Sequence, residues 1–216
     1  GVATELADAF SRANPKMRLR FNFSSSGKLA AQIRMGAPAD VFLSASPREM
    51  DELAQRGLLK VGSRVVFARN RVVVVCKEDM SIKGVEGLAQ FSGRFALGNP
   101  ASVPAGRYGK AALMTMKLYG FVKRDLVYGE NVRQVLDYVV RGEVDAGVVY
   151  FTDYHVVRDR LKLVGELTSP IPVLYPAALL RRCQDQVAAG RFLAFLRSAV
   201  GLRILKKHGF LPPEGI

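Results

Sequence analysis

Along the chain, apolar residues recur in two rhythms: every second position, or every three to four. Val2, Leu6, Ala9 and Phe10 stand at helical spacing and Asn14-Pro15 closes the run, so a helix is predicted from Val2 to Phe10. Met17, Leu19, Phe21 and Phe23 then alternate with polar residues, which predicts a half-buried strand. Ser24-Ser25-Ser26-Gly27 reads as a turn, followed by a helix from about Lys28 to Met35, a short buried strand at Asp40 to Ser44 and a helix at Pro47 to Gln55. Val72 to Cys76 is a continuous apolar run rich in β-branched residues, typical of a strand covered on both faces. Further strands are predicted at Phe95 to Gly98, around Leu126 to Tyr128 and at Ala146 to Tyr150, with helices near Arg107 to Leu118 and Val132 to Arg141. An extended stretch marked by Pro170, Pro172 and Pro176 leads to a strand at Ala177 to Leu180, and helices near Gln186 to Val200 and Leu202 to His208 end the chain.

Strands alternating with helices imply an α/β protein with parallel sheets built from βαβ crossovers. The 216 residues suit one large domain or two lobes of about 100 residues each. A whole α/β unit separates the Val72 run from the extended segment Ile171 to Tyr175. The expected layout is therefore two lobes, each a mostly parallel sheet flanked by helices, joined by two crossing strands. Lobe one takes residues 1–68 and 173–216 and lobe two residues 69–172, with a ligand cleft between them. Ligands of open α/β sheets bind at the carboxyl ends of strands, beside helix N-termini.

Charge changes this picture: 32 Lys and Arg against 19 Asp and Glu leave +13, a balance that attracts anions. The basic residues are spread out, with no run longer than Arg181-Arg182 or Lys206-Lys207 and no stripe interleaved with aromatics, so a nucleic-acid groove is not expected. Cys76 and Cys183 have no His or Cys at metal-ligand spacing and read as buried free thiols or one disulfide. His155 and His208 are too isolated for a zinc site. No apolar run reaches the roughly 18 residues of a membrane span, and no leader segment is visible. No Ser/His/Asp or Cys/His set, paired carboxylates or phosphate-cradling glycine loop is apparent, so no enzyme activity and no cofactor are expected. Asp40 and Asp153 read as loop braces rather than as acid or base.

Four strand-to-helix corners could present free donors. Ser24 to Lys28 leaves the alternating segment for a helix; serine capping is the plainer use, but Gly27 lets a ligand approach the backbone. Gly98 to Gly106 is a rigid, small-residue loop fixed by Pro100 and Pro104. Asn131 with Gln134 three residues later predicts a capping box, ahead of an apolar stripe at Val132, Val135, Leu136, Val139 and Val140. Tyr150, at the end of a buried strand, either offers its hydroxyl to a ligand or fills core.

Taken in order, these corners resemble those of the periplasmic molybdate-binding proteins of ABC transporters. The matching segments are FSSSGKLAAQIRMGAPADVFLSA (Phe23 to Ala45), GNPASVPAGRYGKAAL (Gly98 to Leu113), ENVRQVLDYVVRGEVDAGVVYFTD (Glu130 to Asp153) and RILKKHGF (Arg203 to Phe210). The resemblance implies a class II periplasmic-binding fold that closes on one oxyanion, molybdate or tungstate, held by neutral donors. It assigns hydroxyl and backbone N–H to Ser26, with Ser25 in its place if the register slips by one, backbone N–H to Ala105 and Val132, and a hydroxyl to Tyr150. It also implies a membrane permease as partner, a monomer, and a periplasmic or other extracytoplasmic location compatible with a lipid anchor. Family members begin with a strand ending in a serine-bearing turn, and Gly1 stands about three residues past that serine's place. A chain without those residues is expected to bind weakly and fold poorly, and an intact mass near 23.7 kDa identifies one. The alternatives are an oxyanion-sensing effector domain of a regulator and a receptor for another tetrahedral ion such as sulfate. A leader upstream of Gly1 supports transport, and a DNA-binding domain there supports regulation.

Overall fold

The computed structural model describes residues 1–214. In chain order the elements are α1 (Val2–Ala13), α2 (Ser26–Arg34), β1 (Val41–Leu43), α3 (Pro47–Gln55), β2 (Val65–Asn70), β3 (Val72–Cys76), β4 (Phe95–Gly98), α4 (Pro104–Thr115), α5 (Tyr119–Val122), β5 (Leu126–Gly129), α6 (Val132–Val140), β6 (Ala146–Tyr150), α7 (Phe151–Val157), β7 (Lys162–Glu166), β8 (Val173–Leu179), α8 (Gln186–Leu196) and α9 (Ala199–Lys207). They form two compact units, Gly1–Arg69 with Leu174–Ile216, and Asn70–Val173, so the chain passes between them twice.

The second unit is built on a five-stranded sheet in the order β5-β4-β6-β3-β7. β4 is parallel to β5 and β6, and β3 is antiparallel to both β6 and β7. Four strands therefore point one way and β3 alone runs against them. The four are linked in succession through helices, and a helical crossover returns the chain parallel. β3 enters from the other unit without such a crossover, so nothing obliges it to run with the rest. Every residue of β3, β4 and β6 is buried. α6 seals one face with Val135, Leu136 and Val139, packed on Val73, Val75, Ala96 and Val149.

The first unit contains a three-stranded sheet in the order β1-β8-β2, with β1 antiparallel to β8. Phe10 of α1 packs edge-on to Phe192 and Phe195 of α8 at 5.4 and 5.5 Å between centroids. A second cluster joins Ala30, Phe42, Met50, Leu53 and Leu59 beneath α2 and α3.

Two sequence expectations fail in this unit: its sheet is not the mostly parallel one expected, since β1 runs antiparallel to β8, and a predicted strand is missing. Residues 17–23 are not a strand. The side chains of Met17, Leu19 and Phe21 are half-buried against the core and Arg18, Arg20 and Asn22 are exposed, so the alternation holds over 17–22, but Phe23, expected on the same face, is 74% exposed. A strand, however, needs a backbone partner as well as a two-residue rhythm, and this segment has none among the described residues. The outer edge of β1 is open too. Bonds from Ser44 N–H to Pro176 O and from Leu180 N–H to Asp40 O, both 2.9 Å, set the ladder so that Val41 and Leu43 turn their backbone groups away from β8. That edge and residues 17–22 line a groove of about 530 Å³ with Phe10 and Phe192.

Other boundaries moved less. α4 starts at Pro104 rather than Arg107, because proline at the first helical position lacks the N–H that would have no acceptor there. The alternation gave no sign of β2, β7 or α7; β7 is largely exposed, and α7 has no buried residue. Cys76 and Cys183 are both buried free thiols, one in each unit.

Candidate anion site

In the second unit three predicted donors lie at one end of the sheet. β4, β5 and β6 are adjacent and parallel, so the corners that follow them emerge on the same side. Ala105 is the second residue of α4, after β4. Its first turn lies directly on the strand it leaves: a Cβ at Gly106 would fall 1.8 Å from the Gly98 carbonyl oxygen, so only glycine allows the approach. Val132 is the first residue of α6, after β5. Tyr150 ends β6 and caps α7. Asn99 N–H donates to Gly129 O at 2.8 Å, tying the first corner to the second. Arg133 Nη2 stands 3.6 Å from Asp153 Oδ1, tying the second to the third.

The α6 corner follows the expected capping box with one change. Asn131 Oδ1 accepts from Gln134 N–H at 2.9 Å, but Gln134 Oε1 reaches back to Glu130 N–H rather than to Asn131, at 2.6 Å. The N–H of Val132 remains among the first-turn donors that a helix cannot satisfy internally.

In the first unit, Ser25 and Ser26 are both buried at the start of α2. Ordinary capping, the plainer reading of these serines, is not what they do: Ser25 occupies the N-cap position, yet its side chain makes no cap bond. The Ser25 Oγ is buried and has no hydrogen-bond partner. Ser26 Oγ accepts from Ala45 N–H at 3.0 Å, which leaves its own proton to donate. That bond fixes the serine turn to the corner after β1, where Ser44 Oγ donates to Ser46 O at 2.7 Å and Ser46 Oγ accepts from Arg48 N–H at 3.2 Å to cap α3. The Ser44–Ser46 support left no signal in the sequence beyond two scattered serines.

The helix starts differ in charge. α2 and α4 have neither an acidic residue in the first turn nor a side-chain cap, and α6 has no acid there either. α1, α3 and α7 carry Glu5, Glu49 and Asp153 in that turn, while α8 and α9 are capped by Asp185 and Ser198. A helix start holds roughly half a positive charge on its unsatisfied N–H groups, and no acidic residue in the first turn offsets it in α2, α4 or α6. Among the described residues no cluster of His, Cys, Asp and Glu could hold a metal cation.

Asp153, at the third of the second unit's corners, is a carboxyl mostly shielded from solvent, its side chain 13% exposed. Burial lifts it to about 6, against the opposing pull of Arg133 and of the Tyr150 backbone N–H that it accepts.

In the second unit, helix starts at the carboxyl ends of adjacent parallel strands form the arrangement at which α/β folds bind ligands. The chain belongs to the bacterial extracellular solute-binding proteins, whose family pattern matches residues 1–211. It is 36% identical over 210 residues to the Bacillus subtilis lipoprotein YvgL, provisionally named as an ABC transporter substrate-binding protein, covering 95% of this chain and 80% of that one. It is 32% identical over 213 residues to the molybdate-binding protein ModA of Haemophilus influenzae, covering 95% and 84%. The fold is that of the class II periplasmic-binding proteins: the periplasmic molybdate-binding protein of Azotobacter vinelandii superposes with a TM-score of 0.85 at 24% identity, over 99% of this chain and 95% of that one.

Proposed function

We propose that this protein captures molybdate or tungstate outside the cytoplasm, as a monomer, and hands it to the membrane permease of an ABC transporter. Ser26 supplies a hydroxyl and a backbone N–H, Ala105 and Val132 supply backbone N–H groups, and Tyr150 supplies a hydroxyl. Ser25, with its unpartnered hydroxyl, stands beside Ser26 as a second donor. The observation that carries the reading is the lack of a first-turn acid in α2, α4 and α6, each of which begins at or next to a residue that the family resemblance assigns to the oxyanion. Neutral N–H and O–H donors hold a dianion through charge-assisted hydrogen bonds without burying a permanent counter-charge, which leaves selection to size and donor geometry. The naming of ModA relatives for molybdate binding supports the choice of ion.

Isothermal titration with molybdate, tungstate, sulfate, phosphate and chromate tests this. Tight binding of the first two, with a matching rise in Tm, is expected. Equal binding of sulfate would make the protein a general oxyanion receptor, and no binding of any ion would remove the reading.

A further inference from the structure

We propose that Asp153 is a positioning residue that sets the Tyr150 and Val132 donors at a fixed spacing, by accepting the Tyr150 backbone N–H and pairing with Arg133. The inference rests on the oxyanion site described above, and asks what holds that site's second-unit donors in place.

Ladder geometry explains why Tyr150 needs such a partner. Phe151 N–H donates to Arg71 O at 2.9 Å, which makes Arg71 and Phe151 a bonded position of the β3–β6 ladder. In an antiparallel pair bonded and non-bonded positions alternate, so Val72 and Tyr150, which face each other next along, are a non-bonded position. The Val72 carbonyl is taken on its other side by Leu167 N–H at 2.9 Å. Tyr150 N–H therefore points away from β3, and β4 pairs with β6 only at Ala146 and Gly147. The Asp153 carboxylate receives it. Tyr150 is the N-cap of α7 and Asp153 stands three residues later, the spacing at which an acidic side chain folds back onto the cap N–H.

The same carboxylate reaches Arg133, the neighbour of Val132, at 3.6 Å, and its own side chain is only 13% exposed. The residues between are held from the β3 side. Asn70 Nδ2 donates to Thr152 Oγ1 at 2.9 Å, and the Arg71 guanidinium lies 4.0 Å above the Phe151 ring. Those ties fix the turn to β3, whereas Asp153 runs to the other donor-bearing corner. Burial makes its charge unfavourable there, so a residue kept for stability alone gains nothing by being an acid at this position.

A double-mutant cycle on molybdate affinity separates positioning from general support. Asp153→Ala and Tyr150→Phe are each expected to weaken binding about tenfold, and the double variant to be no more than about twofold weaker than the weaker single one. Asp153→Asn keeps an acceptor for the Tyr150 N–H and is expected to stay within about threefold of the unaltered protein. Additive losses approaching a hundredfold in the double variant, or Asp153→Asn binding as poorly as Asp153→Ala, would overturn the positioning role. So would Tyr150→Phe binding normally. An unaltered protein that binds no molybdate would instead overturn the oxyanion reading itself.

Discussion

The two units handle the same kind of sequence information differently. In the second, β3, β4 and β6 are apolar on both faces, each lies between two neighbouring strands, and the strands stand where the pattern placed them. In the first, residues 17–23 alternate as clearly as any strand and still form none. The difference teaches that a two-residue rhythm specifies which side chains are buried, while a strand also depends on a backbone neighbour that the rhythm does not encode.

Removing equivalent side chains sharpens that contrast most strongly. Leu136→Ala, in the sealed core of the second unit, is expected to cost about 4 kcal/mol because the surrounding sheet cannot collapse onto the cavity. Leu19→Ala, half-buried beside the open groove, is expected to cost about 1 kcal/mol, since less area leaves water and the segment can shift. Urea unfolding followed by circular dichroism measures both. Equal losses would mean that residues 17–23 pack as tightly as a paired strand.

A second contrast lies inside the second unit, between two aspartates displaced in opposite directions. Asp145 accepts from Lys77 at 2.8 Å and its carboxyl is lowered, so its contribution is present above the unfolded pKa of 3.8 and is lost as pH falls through the folded value. Asp153 is raised from 3.8 to about 6, so its contribution is complete below 3.8 and is lost as pH rises through 6. A carboxyl displaced that far changes the unfolding free energy by about 2–3 kcal/mol between the two ends of that range. Raising pH from 4.5 to 7.5 is therefore expected to destabilise the second unit through Asp153. Unfolding free energies at the two pH values should show a flatter dependence in Asp153→Asn and an unchanged slope in Asp145→Asn. A slope that survives Asp153→Asn would assign it to another group.

Much of the fold was legible because long apolar runs and helical stripes are strong signals. Val72 to Cys76, Ala146 to Tyr150 and the stripe of α6 stand close to where they were expected. β7 was not, because its exposed edge carries no contrast between faces, and α7 was not, because none of its residues is fully buried. Of the site, the helix start at Val132 was readable from its capping residues, while α2 begins at Ser26, two residues ahead of the expected Lys28. The bonds between Ser26 and Ala45 and between Asp153 and Arg133 join residues by tertiary proximity, which leaves no trace in spacing, whereas Asp153 stands at the three-residue capping distance from Tyr150 and was readable as a brace.

Capping gives a smaller contrast, between a helix start with a side-chain cap and one without. Asn131 accepts from Gln134 N–H and so caps α6; Asn131→Ala is expected to cost about 1 kcal/mol in unfolding free energy. Ser25 occupies the same position of α2 and caps nothing, its hydroxyl buried without a partner. Ser25→Ala removes an unsatisfied group and leaves no lost bond behind, so the ion-free protein is expected to change by less than about 0.5 kcal/mol or to gain slightly. The two serines can then be told apart by ligand. If Ser25 also donates to the oxyanion, the Tm rise produced by saturating molybdate shrinks in Ser25→Ala although the ion-free Tm does not fall. If only Ser26 donates, Ser25→Ala keeps the full rise. A fall in the ion-free Tm as large as that of Asn131→Ala would mean that Ser25 does cap α2 in solution, as Asn131 caps α6.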